Sequence, residues 1–82
     1  MDIASFVGPA IRDLREQVGI SQEELAGRAN LDRTYISGIE RGRRNPSVKS
    51  LQRVANALTI GLDIVFVRAR ELAERRERGE QG

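Results

Sequence analysis

Eighty-two residues with a net charge of +2 make one small domain, whose core supplies only modest stability unless a second chain adds to it. Neither cysteine nor histidine is present, which excludes disulfides, the usual zinc ligand sets and the commonest general base. No nucleophile stands beside a base and no phosphate-binding glycine loop occurs, so no enzymatic activity, metal, cofactor or small-molecule ligand is expected. The start lacks a basic segment followed by a long apolar run, and no stretch is long enough to cross a bilayer, so the expectation is a soluble, cytoplasmic protein without membrane association. Charge is unevenly placed. Residues 1–32 carry six acids and three bases, residues 33–53 six bases against Glu40 alone, and residues 54–82 five of each. A block like this is either a solvated face or a footprint for a polyanion, and its surroundings decide between them.

In chain order, Ile11, Leu14 and Val18 recur at helical spacing with Arg12, Asp13, Glu16 and Gln17 opposite, which predicts a first helix over Ile11–Val18. Pro9 fits its first turn, Gly19 can end it in a left-handed conformation, and Asp2 or Ser5 is placed to cap it. Ser21-Gln22-Glu23-Glu24 has the form of a capping box, so a second helix starts at Gln22. It carries Leu25, Ala26 and Ala29 on one face and ends near Asn30, a residue that tolerates positive φ. Asp32 offers the next N-cap, and Ile36 and Ile39 give a third helix its buried stripe before Arg41-Gly42 closes it. After Asn45-Pro46-Ser47, the positions Val48, Leu51, Val54, Ala55 and Leu58 mark a fourth helix.

Gly61 interrupts the pattern. From there Leu62, Val65, Phe66, Ala69, Leu72 and Ala73 fit a fifth helix, whereas Leu62, Ile64 and Phe66 fit one face of a strand, and the helix is preferred. Residues 71–82 are mostly charge plus glycine and are expected to fray, leaving a single domain over residues 1–78 and a loose tail over 79–82.

Two short helices joined by a tight turn over Gln22–Glu40 match the demands of a helix-turn-helix. Ala26 stands where a larger side chain would push the helices apart, Asn30 takes the turn, and Leu25, Ala29, Leu31, Ile36 and Ile39 form the wedge between them. Through Ile20-Ser21-Gln22-Glu23-Glu24-Leu25-Ala26 and Ile36-Ser37-Gly38-Ile39-Glu40-Arg41-Gly42, the chain resembles the phage-repressor-like (lambda-repressor-like) helix-turn-helix family over about residues 8–60. The string from Leu31 to Arg41 is most similar to the controller proteins of restriction-modification systems.

The resemblance implies an all-α, compact five-helix DNA-binding domain whose third helix enters the major groove of double-stranded DNA. Arg33, Thr34, Tyr35, Ser37 and Gly38 would then face base edges. A guanidinium such as that of Arg33 can donate two bonds to guanine O6 and N7, worth about 1–3 kcal/mol of discrimination. Phosphate contacts would come from Ser21 and Gln22, from Arg41, Arg43, Arg44 and Asn45 in the loop after the third helix, and from Lys49 and Ser50. The family usually pairs an arginine of its first helix with a glutamate ending the third, and Arg15 and Glu40 match those places as a structural ion pair.

One recognition helix reads too few base pairs to find a genomic site, so a two-fold homodimer is expected, with Leu62, Ile64, Val65 and Phe66 as its interface. If residues 62–68 form a strand instead, the interface is a two-stranded ribbon. The expected function is a sequence-specific transcription regulator, bacterial or phage-encoded, and the controller resemblance implies autoregulation within a restriction-modification system. The alternative is an antitoxin-type protein using the same module but acting through a protein partner held by the chain from Arg68 onward.

Overall fold

The computed structural model describes residues 1–79. One turn of 3-10 helix, Ala4–Phe6, leads into five α-helices: α1 (Val7–Val18), α2 (Gln22–Ala29), α3 (Arg33–Glu40), α4 (Val48–Ala57) and α5 (Leu62–Glu77). No strand occurs among the described residues, so the ribbon alternative for residues 62–68 is overturned.

Local chemistry sets most of the helix ends. The Ser21 hydroxyl accepts from the Glu24 N–H at 3.0 Å, the Asp32 carboxylate from the Thr34 N–H at 2.7 Å, and the Ser47 hydroxyl from the Ser50 N–H at 3.0 Å. Only half of the expected capping box forms, because Arg28 draws the Glu24 carboxylate into an ion pair one turn along α2. Gly19 and Asn30 end α1 and α2 with φ of +84° and +54°, and Asn30 thereby makes the turn between α2 and α3.

Two ends differ from the sequence reading. Helix α1 begins at Val7, four residues before the apolar periodicity sets in at Ile11 and with Pro9 in its first turn as expected, and Val7, Gly8 and Ala10 are buried there. Pro9 is no obstacle there, since its missing N–H falls among those that have no partner within the helix. Neither Asp2 nor Ser5 caps α1, whose N-cap is Phe6 without a side-chain bond; Asp2 instead accepts from the N–H and hydroxyl of Ser5, which lowers its pKa and holds the 3-10 turn. At the other end, α5 continues to Glu77 instead of fraying from Glu71. Leu72 is half-buried, Ala73 is buried, and Arg68 ties the helix to Asp13 of α1. Residues 80–82 of the expected loose tail lie outside the described residues.

The core draws on every helix. Ile11, Leu25, Ile36, Ile39, Val54 and Val65 are its largest fully buried side chains, and each contributes about 1.5–3 kcal/mol by leaving water. Ala26, 4% exposed, lets α2 lie close to α3, while Val65, Ala69 and Ala73 form the stripe that packs α5 against the rest. The resulting scaffold leaves one side of α3 and the loop after it uncovered.

Candidate nucleic-acid interface

The position of α3 is held by a buried polar cluster. Arg15, in the last turn of α1, donates from Nε to Glu40 Oε2 at 2.7 Å and from Nη2 to Glu40 Oε1 at 2.9 Å, while its Nη1 donates to the Ile20 carbonyl at 2.8 Å. The Glu40 side chain is 2% exposed and that of Arg15 is 11% exposed. This bidentate geometry spends the charges on each other inside the protein and ties the end of α3 to α1. Hydrogen bonding to Glu40 raises the Arg15 pKa, so the guanidinium is held charged against the effect of burial. Gln22 joins the cluster: its amide donates to Glu40 Oε1 at 3.0 Å. One of its two N–H groups is therefore used within the fold, and only the other remains for a phosphate.

Arg33 and Thr34 are exposed in the first turn of α3, and Tyr35, Ser37 and Gly38 are half-buried further along it. Arg33 also lines an open groove of about 640 Å³ together with Ser21, Gln22, Glu23, Glu24 and Arg15. The candidate phosphate end of α2 and the first base-facing residue of α3 thus border one depression. Two acids share it, and neither figured among the site residues inferred from sequence.

The loop after α3 is folded onto that helix. The N–H groups of Arg43 and Arg44 donate to the Gly38 carbonyl at 2.8 and 3.1 Å, and Gly42 takes a φ of +76° to allow the reversal. Arg41, Arg43, Arg44, Asn45 and Lys49 are all exposed. Arg44 does not extend freely, however. A Cβ added at Gly38 would lie 2.7 Å from Arg44 Cγ, and the Arg44 guanidinium lies 6.0 Å from the centroid of the Tyr35 ring. A glycine at position 38 of the chain, inside a helix, signals a close approach, and the stem of Arg44 is what makes it, covering Gly38 on the side expected to face base edges.

Ser50 is similarly engaged. It is half-buried, and its Oγ accepts from the Tyr35 hydroxyl at 3.3 Å and from the Ser47 hydroxyl at 3.0 Å, which links α3 to the start of α4. Arg53 of α4 also supports the turn, donating to the Asn30 carbonyl at 3.5 Å. That contact has no local signature, because it joins residues 23 positions apart.

The proposed dimer residues separate on α5. Val65 has no exposure and Leu62 packs against the protomer's own core, so Val65 is corrected from interface to core. The exposed apolar residues are Ile64, Phe66 and Val67, about 40% each. Val67 was missed because it falls outside both the preferred helical stripe through Leu62, Val65, Phe66 and Ala69 and the strand face through Leu62, Ile64 and Phe66; helical spacing puts it one turn from Ile64.

A short helix held at both ends, turned outward from a bihelical wedge and followed by an acid-free arginine loop, defines a helix-turn-helix module built to meet a polyanion. The chain belongs to the helix-turn-helix family, whose model matches residues 11–65. It is 42% identical over 60 residues to an uncharacterised HTH-type transcriptional regulator, y4dJ of Sinorhizobium fredii, covering 73% of this chain and 78% of that one. To the control protein C.MunI of a Mycoplasma species it is 41% identical over 66 residues, covering 79% and 89%. Other relatives are longer, and the chain spans only 41% of the immunity repressor of Bacillus phage phi105. Among solved structures, a variant of the restriction-modification controller protein C.Esp1396I matches with a TM-score of 0.83 at 36% identity, covering 92% of this chain and 95% of that one. The same controller bound to a 19-base-pair DNA duplex matches with a TM-score of 0.77 at 39% identity, covering 87% and 95%.

Proposed function

We propose that this protein is a transcription regulator that binds a two-fold operator as a homodimer and serves as the autoregulatory controller of a restriction-modification system. The observation that carries the DNA-binding reading is the exposed first turn of α3, with Arg33 and Thr34, set beside an acid-free arginine loop on a helix locked by a buried ion pair. Similarity to C.MunI and C.Esp1396I supports the controller assignment, and the DNA duplex in the latter's structure supports the choice of ligand. Arg33, Thr34, Tyr35 and Ser37 read base edges, while Ser21, Arg41, Arg43, Asn45 and Lys49 hold phosphates, with Gln22 contributing its remaining N–H. A regulator of bacterial or phage genes works in the cytoplasm of the host cell.

Selection of bound sequences from a random DNA pool tests this reading, because it returns the motif, its symmetry and its half-site spacing together. The expected motif is two-fold, and its genomic copy lies upstream of the protein's own gene beside a restriction enzyme and a methyltransferase. Arg33→Ala relaxes base preference at one position in each half-site, by about 1–3 kcal/mol of discrimination. A selected motif identical to wild type would remove Arg33 from the base-reading set. Arg43→Ala weakens binding to every sequence alike and reduces the slope of log affinity against log salt by about 1. An unchanged slope means that Arg43 meets no phosphate.

The dimer reading rests on the exposed apolar residues on both flanks of α5, Ile64 and Val67 on one and Phe66 on the other. Phe66→Glu, at a position outside the protomer's core, yields a folded monomer in sedimentation equilibrium. A persistent dimer would move the interface to another surface.

A further inference from the structure

Charge divides along α3. The loop at its C-terminal end is free of acids, with Arg41, Arg43, Arg44 and Lys49 exposed beside it, whereas three acids surround its N-terminal tip. Asp32 caps the helix, accepting from the Thr34 N–H at 2.7 Å, and Glu23 and Glu24 line the open groove that Arg33 shares with Ser21 and Gln22. Two of these acids are engaged, Asp32 by the backbone and Glu24 by its ion pair with Arg28. Glu23 is not. It is exposed in the first turn of α2, and among the described residues it has neither a hydrogen bond nor an ion pair. Arg33 is likewise exposed and unpaired, so the two charges border one depression without neutralising each other. The dipole of α2 favours an acid in that turn. Glu24 already supplies one, however, and a second carboxylate on this side of the protein repels every phosphate that comes near it.

We propose that Glu23 is a specificity-determining residue, whose carboxylate keeps phosphates away from Arg33 so that the guanidinium meets DNA through base edges. The proposal rests on the DNA-binding reading above and adds to it the means by which the wrong contact is suppressed. An exposed arginine at the tip of a recognition helix has two classes of acceptor on DNA: phosphate oxygens, present at every step, and guanine O6 and N7, present only in the right sequence. Phosphates are charged and base edges are neutral. A phosphate drawn into the groove by Arg33 therefore meets repulsion from the Glu23 carboxylate bordering the same depression, while a guanine edge meets Arg33 without it. Discrimination is a difference of affinities, and weakening the wrong complex raises it as effectively as strengthening the right one. A phosphate held by Ser21 and Gln22 is common to all sequences, so the effect of Glu23 on that contact cancels from the ratio. The acid-free loop after α3 restores, far from the reading tip, the sequence-independent attraction that the acid removes there.

The test compares affinities for the operator selected by wild type and for an unrelated duplex, each measured against salt, with wild type, Glu23→Gln, Arg33→Ala and the double variant. Glu23→Gln keeps the size of an exposed, unpaired side chain and removes only its charge, so the fold is preserved. The ratio of operator to unrelated affinity is expected to fall by roughly 1.5- to 5-fold at low salt, through tighter binding of the unrelated duplex. The slope of log affinity against log salt for that duplex steepens by about 0.9, the mark of one further phosphate contact. With Arg33→Ala already in place, Glu23→Gln leaves the ratio where Arg33→Ala alone puts it, because no guanidinium remains at the tip to be drawn to a phosphate. If Glu23→Gln raises both affinities alike or changes neither, the carboxylate does not discriminate and the proposal is overturned. A ratio that falls as far without Arg33 as with it overturns the proposal too, since the carboxylate then acts elsewhere. So does a ratio that falls through loss of operator affinity alone, which would make Glu23 itself a base contact. A wild-type protein that selects no motif would overturn the regulator reading, a failure distinct from the others.

Discussion

Arg15→Ala destabilises the free protein by about 3–5 kcal/mol, because it leaves the Glu40 carboxylate buried without its cation. The Glu40 side chain is 2% exposed and accepts two bonds from Arg15 and one from Gln22, so water cannot replace what is lost. The Ile20 carbonyl loses its Arg15 donor at the same time. Urea denaturation without DNA measures the effect, and a loss below about 1 kcal/mol would mean that the pair behaves like a solvated surface pair. Glu40→Gln is milder, since the amide keeps the shape and one acceptor oxygen. Replacing both partners, as Arg15→Met with Glu40→Leu, restores much of the stability lost by Arg15→Ala, because an apolar pair carries no uncompensated charge. The pair's role is then to fix the direction of α3, and the double variant reveals it as relaxed base preference in a folded protein.

The same pair contributes no pH dependence near neutrality through Arg15. Its pKa is raised by Glu40 above the ordinary arginine value, so the stabilisation is fully present below that value. It is lost only as pH rises through the folded pKa, in a strongly alkaline range.

Features written in neighbouring residues were legible from the sequence; of those written across the fold, the Arg15–Glu40 pair was expected through the family resemblance, and most others were not. Ser21, Asp32 and Ser47 announce three helix starts, and the Asn30 turn follows from its tolerance of positive φ. The apolar run from Leu62 to Val67 was ambiguous because almost every position is hydrophobic, which erases the contrast that separates a period of 2 from 3.6. What settled it was the buried stripe of Val65, Ala69 and Ala73, which places Arg68, Arg70 and Glu71 off the core-facing side. The candidate site divided along the same line. Arg33 and Thr34 can be placed by counting from the Asp32 cap, whereas the use of Gln22 by Glu40, and of Gly38 and Tyr35 by Arg44, depends on how other segments return to α3.

Two glycine-to-alanine substitutions separate these levels, because identical chemistry should give opposite signs. Gly27 lies in α2 with nothing within 4 Å of an added Cβ. Gly27→Ala is therefore governed by helix propensity and stabilises by about 0.5–1 kcal/mol. Gly8 lies in α1, where an added Cβ would stand 2.0 Å from the Ile39 carbonyl oxygen and 3.2 Å from that of Glu40. Both atoms are backbone, so no rotamer change relieves the overlap, and α1 and α3 must move apart. Gly8→Ala destabilises by about 3 kcal/mol despite the better helix former, at the upper end of ordinary overpacking. For a domain of this size that is a fall in Tm of more than about 10 °C. Because the displaced atoms belong to the last turn of α3, the movement also carries Glu40 away from Arg15 and shifts the arginine loop, so DNA affinity falls with stability. Calorimetry of the two variants in parallel decides the point. A Gly8→Ala protein as stable as wild type would mean that α1 and α3 are not held at this separation, and that the direction of the recognition helix is set by the ion pair alone.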